Sequence, residues 1–410
     1  MPEFLSLLPP QEALNKFLLQ IPPTRQVEKI QTSEALGRVL AEPAIAGYPL
    51  PSFRRTTVDG YAVKAEDTHG ASESLPAYLS LVGEIPMGGE PDFSIDSTQC
   101  SLIHTGGMLP SGADAVVMVE HTQVAREGEI EIMHSVAVGE NVLQIGEDVK
   151  EGEEVIPGGT LLRPAEIGGL MALGITEIVV SIKPKVGIIS SGDEVIPPEE
   201  EMKHGQVRDV NTYTLSALVE ESGGTPVPYG IVSDELTAMQ GAAAQALQEC
   251  DFVVITAGSS ASTRDLTSQV IEYLGKPGVL VHGVNIRPGK PTILGVCDGK
   301  PVVGLPGNPV SALVIAGLFV VPVIELFLGL STSRPQPRIP AKLAVNLSSQ
   351  AGREEWVSVR LIRSQSGFTA EPIFGKSNLI FTLSKGDGLI KIPADATGLS
   401  AGEIIDVWLM

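Results

Sequence analysis

Cysteine, aromatic residues and positive charge are all scarce in this 410-residue chain. The three cysteines, Cys100, Cys250 and Cys297, are odd in number, far apart and form no C-x-x-C. That argues against a disulfide framework or a zinc site and for buried thiols in a reducing compartment. The six histidines make no H-E-x-x-H, and aromatic residues are 4% of the chain. Lysine and arginine number 28 against 49 acidic residues, a formal charge of −21. Such a field repels nucleic acid and anionic membrane unless a basic patch is concentrated somewhere, and no such patch is visible. Any anionic ligand must be held by local donors working against the whole molecule. The start, "MPEFLSLLPPQEALNKF", has no cationic segment and carries prolines where an apolar signal core belongs, so no export signal is evident and the cytoplasm is expected.

What is present is ordinary for a soluble globular protein: 43% hydrophobic and 19% charged residues, over a length that calls for two to four domains. One run, "VVGLPGNPVSALVIAGLFVVPVIELFLGL" at 302–330, is apolar enough to be weighed as a membrane span. Pro322 and Glu325 interrupt it and no basic residue flanks it closely, so a strand, a rigid corner and a buried helix fit better. Asn308 suits the N-cap, Pro309 the first helical position and Gly329 the stop.

Residues 11–40 have apolar positions at helical spacing (Leu14, Phe17, Leu18; Ala35, Leu36, Val39) and predict a helix pair. From about 50 to 141, short apolar runs separated by Gly and Pro read as a small β-rich domain. "RPAEIGGLMALG" returns to helix. From Lys185 the pattern alternates: strand "KVGIIS", helix "NTYTLSALVEESGG" capped by Asn211, strand "VPYGIV", capped helix "SDELTAMQGAAAQALQE", strand "DFVVIT", helix "TRDLTSQVIEYLG" and strand "GVLVHG". This predicts a mostly parallel sheet covered by helices on both faces, followed by a hairpin turning on Asp298-Gly299. Beyond the proline-rich "STSRPQPRIP", alternating patterns predict a small β-barrel or sandwich.

In a doubly wound sheet, ligands bind beyond the carboxyl ends of the strands. The loops there are "SSGDE" (190–194), "VSDE" (232–235), "TAGSSASTRD" (256–265), "NIRPGKP" (285–291) and "LPGNP" (305–309). Ser190, Ser191, Ser259 and Ser260 offer hydroxyls, Arg287 and Lys290 offer charge, and helix starts offer unpaired N–H groups, all suited to phosphate or oxyanions. Glu194, Asp234 and Asp265 at the same edge would repel such a guest: two unit charges about 4 Å apart cost on the order of 4 kcal/mol at an effective dielectric near 20, against roughly 0.3 to 1 returned by one helix terminus. A divalent cation, Mg²⁺ by preference, resolves the conflict. "GVNIRPGKP" is not a P-loop, because Pro stands where Ser or Thr should hold magnesium, and "GSSAS" lacks the last glycine of a nucleophile elbow.

The motifs "TTVDGYAV", "IHTGGMLPSGADAVVMVE", "IGEDVKEG", "LLRPAEIGGLMALG", "VGIISSGDE", "DVNTYTL", "RPGKP" and "GLPGNPVSA", in this order and over nearly the whole chain, resemble the molybdopterin molybdenumtransferases of the MoeA and gephyrin E-domain family. The resemblance implies a multidomain α/β plus β protein with four domains: a discontinuous N-terminal helical linker domain (1–47 and 142–183), a small β-rich domain (48–141), a three-layer α/β/α molybdopterin-binding domain (184–331) and a C-terminal β-barrel (332–410). It implies a cytoplasmic homodimer that uses Mg²⁺ to cleave adenylylated molybdopterin, release AMP and insert molybdate, with the adenylyltransferase as a possible partner. Carried over by motif, Asp59, Thr105 and Asp148 would reach an active cleft shared between subunits. Glu194, Asp234 and Asp265 would be catalytic and metal-binding. Ser191, Gly192, Asp193, Gly258, Ser259, Ser260, Arg287, Lys290, Pro306, Gly307, Asn308 and Pro309 would hold substrate. Ala257 and Ser262 replace two family glycines, Arg287 a lysine, and Ser358 an arginine whose place Arg353 or Arg360 could take. A non-catalytic pterin-binding scaffold and the adenylyltransferase itself are the alternative functions; preference for molybdate over tungstate is not legible in the chain.

Overall fold

Strands that are apolar on both faces need cover on both faces, and the central part of this chain supplies it. The computed structural model describes residues 7–22, 24–257, 261–332, 334, 336–365 and 367–410, and of residues 261–265 the backbone alone. The chain divides into two units, one made of Met1–Ala41, Gly159–Arg163 and Ile178–Met410, the other of Glu42–Gly158 and Pro164–Glu177.

In the first unit, helix α1 (Pro10–Leu18) is followed by strand β1 (Val27–Gln31), which pairs with β2 (Glu177–Ser181). The second helix expected within residues 11–40 does not form: Val27–Gln31 is strand, Thr32–Glu34 a single 3-10 turn, and Val39 and Leu40 make isolated bridges to Leu161 and Val180. Pro22 cannot continue a helix, β-branched Val27 and Ile30 favour an extended chain, and Leu36, read as part of a buried face, is 64% exposed.

The α/β portion runs β3 (Lys185–Ser191), α2 (Asn211–Glu221), β4 (Thr225–Val232), α3 (Leu236–Glu249), β5 (Phe252–Ala257), α4 (Ala261–Leu274), β6 (Pro277–His282), β7 (Ile286–Arg287), β8 (Ile293–Cys297), β9 (Lys300–Pro306) and α5 (Pro309–Leu328). The sheet order is β4-β3-β5-β9-β8-β6. β4, β3, β5 and β9 run parallel, β8 runs antiparallel between β9 and β6, and β6 returns to the common direction. Alternate residues face opposite layers: Val186, Ile188, Phe252 and Val254 pack with α1, α2 and α5, while Ile189, Val253 and Ile255 pack with α3 and α4. The three-layer expectation holds.

The hairpin between β8 and β9 turns on Asp298 (φ 50°) and Gly299 (φ 86°), the two positive-φ positions of a type I′ turn. Helix α5 is long and apolar enough to cross a membrane by length and composition. Here it lies against the sheet, with Phe319, Val320, Val323 and Ile324 among the residues of the largest core. Pro309 is its first residue, and Gly329 ends it at φ 65°.

The remainder of this unit is a closed barrel, completing the β-rich C-terminal expectation. Strands β10 (Arg338–Leu343), β11 (Glu354–Ser364), β12 (Gly367–Pro372), β13 (Gly388–Ile392) and β14 (Ile404–Leu409) run in the order β11-β12-β10-β14-β13, and β13 pairs back onto β11. Strand β7 of the α/β portion joins the barrel by pairing with β11, Arg287 opposite Glu355. The loop carrying Arg287 and Lys290 is thereby fixed between sheet and barrel.

The second unit holds a six-stranded sheet in the order Ala115–Met118, Gly60–Val63, Gln99–Ile103, Ala77–Glu84, Glu129–Ile132, Thr122–Arg126, and the helix Pro164–Ala172. Tyr61, Val63, Leu79, Cys100, Val117 and Ile130 form its core. All three cysteines of the chain are free and buried, and burial pushes the Cys100 and Cys297 thiols up to about 12.

Candidate functional site

The parallel strands β4, β3, β5 and β9 deliver their C-terminal ends to one edge, as the βα pattern requires. At the end of β3, Ser190 and Ser191 are buried. Ser190 Oγ donates to Asp209 Oδ1 (3.2 Å) and stands 3.3 Å from Thr256 Oγ1 on the neighbouring β5. Asp209, 7% exposed, also accepts the Thr212 backbone N–H at 3.1 Å. The cap of α2 is thus Asp209; Asn211, expected in that role, already lies in the helix. Its Nδ2 instead donates to Gly307 O at 2.9 Å, tying α2 to the corner after β9. Among the described residues two buried polar atoms at this edge have no hydrogen-bond partner, Asn211 Oδ1 and Thr212 Oγ1, while the Ser191 hydroxyl faces the Asp234 carboxyl and favours its ionised form. Burying such atoms unpaired is costly, so each is an open contact point for a polar guest.

The acidic residues lie just beyond. Gly192 sits at φ 141°, and a Cβ there would meet Val195 Cγ2 at 2.8 Å and Glu194 Oε2 at 2.9 Å. Only glycine lets the chain turn this tightly out of β3. Asp193 Oδ1 accepts the backbone N–H of Asp234 at 3.2 Å. Burial raises the Asp234 carboxyl above its ordinary value, and the neighbouring charges of Asp193 and Glu194 push it the same way. Among the described residues no three His, Cys, Asp or Glu side chains gather as a metal-binding group. Gly258, Ser259 and Ser260 lie outside the described residues, as does the side chain of Asp265, whose backbone is in the first turns of α4. The donor chemistry present, carboxylate oxygens beside a buried hydroxyl, is the hard-oxygen type that suits Mg²⁺, a cation that keeps much of its own water.

Towards β9 the charge reverses. A cavity of about 960 Å³ opens between the 285–291 loop, the corner before α5 and the barrel. Four cations line it, Arg287, Lys290, Arg353 and Lys376, with Glu355 as the acidic member of the wall. Arg287 Nη1 is 3.0 Å from Glu355 Oε1. The other three cations have no carboxylate partner among the described residues, and Arg353 Nε is buried without a hydrogen bond. Pro306 and Asn308 also line the cavity, with Gly307 and Pro309 on the same corner. Asn308 is the N-cap position of α5, yet its Nδ2 donates to Ser377 Oγ (3.1 Å) and makes no cap bond. In the first turn of α5, Pro309 has no N–H, Val310 N–H donates to Ser377 O (3.0 Å) and Ala312 N–H to Asn308 O (2.9 Å), which leaves the N–H of buried Ser311, on the cavity wall, for an anion.

Three family models cover the chain in series: the MoeA N-terminal region (domain I and II) over residues 8–174, a "Probable molybdopterin binding domain" over 187–326 and the MoeA C-terminal region (domain IV) over 340–410. The chain belongs to the MoeA family. It is 31% identical to the molybdopterin molybdenumtransferase of Haemophilus influenzae over 97% of each chain, and 32% identical to that of a Nostoc species over 92% of this chain and 88% of the other. The crystal structure of the molybdopterin biosynthesis MoeA protein from Pyrococcus horikoshii OT3 superposes with a TM-score of 0.86 at 34% identity, over 99% of this chain and all of that one.

Against the MoeA pattern, the departure at Ser358 is absorbed within the barrel: the residue is buried and its Oγ donates to Thr382 O at 2.8 Å. Of the two arginines nearby, Arg353 lines the cavity, whereas Arg360 is an exposed residue of β11 opposite Glu371. Lys376, Ser377, Trp356 and Phe374 also line it and escaped the sequence reading. The one signal they left was "FGKSN", a basic residue in a Gly- and Asn-flanked turn.

In the second unit, Asp59 and Thr105 come together. Asp59 Oδ1 accepts from Thr105 N (2.7 Å) and Thr105 Oγ1 (3.1 Å), and these two bonds hold the exposed carboxyl below its ordinary value, with His104 helping. His104 Nδ1 lies 3.8 Å from Asp59, and its Nε2 lies 3.0 Å from Glu84. Asp148 is exposed, and its backbone N–H donates to Leu50 O at 3.0 Å.

Proposed function

We propose that this MoeA family member completes molybdenum cofactor assembly by cleaving adenylylated molybdopterin, releasing AMP and transferring molybdate to the pterin dithiolate. The observation that carries the reading is the cationic cavity, four Lys and Arg side chains facing one space in a chain of net charge −21. A concentration of charge against so large an opposing field is what a dianionic oxyanion needs.

On this reading Lys290, Arg353 and Lys376, with the Ser311 N–H at the start of α5, orient the oxyanion. Asn211 and Thr212 supply unpartnered polar atoms, and Ser191 a hydroxyl beside Asp234, to fix the nucleotide or pterin phosphate. Asp234 and Glu194, with Asp265, would hold Mg²⁺. When bound there, that ion would neutralise charge developing on the phosphoanhydride as AMP departs. Asp234, disfavoured as an anion by burial and by like neighbours, is the carboxylate that gains most from a cation. The active form we propose is a cytoplasmic homodimer in which Asp59, Thr105 and Asp148 of one subunit complete the cleft of the other. The relatives' activity as molybdopterin molybdenumtransferases supports the reaction class.

The test is direct. Purified protein mixed with adenylylated molybdopterin, Mg²⁺ and molybdate should release AMP stoichiometrically with formation of the molybdenum-loaded cofactor. Absence of AMP release under those conditions rejects the transferase reading. Consumption of ATP with free molybdopterin would point to adenylylation.

A further inference from the structure

Among the described residues Glu355 is the one carboxylate on the wall of the cationic cavity, and its surroundings are built. The residue is 8% exposed and Oε2 accepts a hydrogen bond from Ser349 Oγ at 2.8 Å, while Oε1 meets Arg287 Nη1 at 3.0 Å. The pair is set by backbone register as well as by charge. β7 lies parallel to β11 with Arg287 opposite Glu355, and Glu354 N donates to Asn285 O at 3.1 Å. Arg287 itself is mostly exposed, its side chain 59% accessible. A long, solvated guanidinium is thus tied to a short, buried carboxylate. The carboxylate cannot move without leaving a buried charge unpaired, so the arginine is the held partner.

Resting on the reading that this cavity receives the oxyanion, we propose that Glu355 is a positioning residue that sets the cavity's affinity by holding the Arg287 guanidinium on the wall and away from the guest. The oxyanion is left to Lys290, Arg353 and Lys376, which have no competing carboxylate. The chemistry gives a reason for the restraint. A substrate oxyanion gripped equally before and during transfer gains affinity and no rate, and one gripped too firmly is released slowly to the dithiolate. A guanidinium beside a tetrahedral dianion forms paired charge-assisted hydrogen bonds, among the strongest available. Arg287 stands where the family resemblance places a lysine, so this chain carries a stronger potential ligand at that point, together with a buried acid that occupies it.

The experiment uses the full-length protein and molybdate alone, read by isothermal titration calorimetry, with steady-state kinetics alongside. Glu355→Gln keeps the shape and the Ser349 contact but removes the charge that restrains Arg287. Molybdate should bind about 5- to 10-fold more tightly, in line with freeing one charge-assisted hydrogen-bonding group. KM for molybdate should fall and kcat fall with it. Adding Arg287→Gln in the same chain should cancel the gain. Unchanged or weaker molybdate binding in Glu355→Gln overturns the proposal, and so does a gain that survives in the double variant, since the effect would not then run through Arg287. If Glu355→Gln does not fold, Glu355→Asp retains the charge and shortens its reach; a gain of about 2-fold or more supports the restraint, and none overturns it. Lys290→Gln separates this proposal from the function beneath it. If that variant binds molybdate as the native protein does, the cavity is not the oxyanion site and both fail; if it binds weakly while Glu355→Gln shows no gain, only the role of Glu355 fails.

Discussion

One sheet edge carries two regions of opposite sign. After β3 and β4 stand Asp193, Glu194 and Asp234; after β9, where the barrel closes over the corner, stand Lys290, Arg353 and Lys376. The cationic region is finished by the protein, its side chains facing a formed cavity and Glu355, its only acid among the described residues, already paired. The acidic region is unfinished. Burial and the charges of Asp193 and Glu194 disfavour the Asp234 carboxylate, against hydrogen bonds that favour it, so a cation joining it would be stabilising. Opposite charges on one edge thus imply opposite dependences: anion binding should need no metal, and bond cleavage should need one.

The sharpest way to break this contrast is Asp234→Asn. If Asp234 holds the metal, Mg²⁺-dependent AMP release should fall by roughly 10²–10³-fold, since metal stabilisation of developing charge is worth several kcal/mol. Molybdate affinity measured without metal should stay near native. The variant should also be more stable than the native protein at neutral pH. A carboxyl whose folded-state value is raised loses stability as pH rises through the interval from its ordinary 3.8 to that raised value, and asparagine has no such loss. A drop in melting temperature at pH 7 would mean that Asp234 is a structural anion.

The complementary change is Lys290→Gln or Arg353→Gln. Each should raise KM for molybdate by about 10- to 100-fold, the worth of a hydrogen bond to a charged group, and leave the Mg²⁺ dependence alone. An equal loss of metal affinity would merge the two regions into one site.

How much of this was legible from the residues follows from where each interaction reaches. The Asp298-Gly299 hairpin, the Pro309 start and Gly329 stop of α5, and the doubly buried strands are local matters of φ and of periodicity, and all appear where the chain predicted them. The helical repeat of Ala35, Leu36 and Val39 misleads because Val39 and Leu40 bridge to Leu161 and Val180, partners far along the chain that no local spacing reports. The side-chain cap of α2 falls to Asp209 because Val210 is already helical and accepts the Thr214 N–H, which puts Asn211 inside the first turn, where its amide is tied to Gly307 O. The Arg287, Lys290 and corner half of the cavity was visible as loop composition. The Lys376, Ser377 and Trp356 half was not, because no spacing reports that a barrel turn will face a loop of another fold layer.

A smaller effect tests the join between the two regions. Asn211 links α2, beside the acidic end, to the corner of the cationic end through its bond to Gly307 O. Asn211→Ala should cost about 1 kcal/mol, a shift of roughly 2–4 °C in melting temperature for a unit of this size, read by differential scanning calorimetry. Loss of stability with unchanged kinetics would make the link a staple only.

The smallest expected change lies in the other unit, where Asp59 owes its lowered carboxyl value to two hydrogen bonds from Thr105. A carboxylate with a depressed folded-state value contributes stability that is fully present above its ordinary 3.8 and is lost as pH falls through the lower value. Thr105→Val deletes the hydroxyl bond and keeps the backbone one, so Asp59 should titrate slightly closer to 3.8 and the acid limb of unfolding should move up by a fraction of a pH unit. Because the carboxylate is solvent-exposed, stability at neutral pH should hardly move. A chemical-shift titration of Asp59 separates the outcomes: an unmoved midpoint would show that the Thr105 backbone N–H alone sets it, and the hydroxyl would then be free for a ligand.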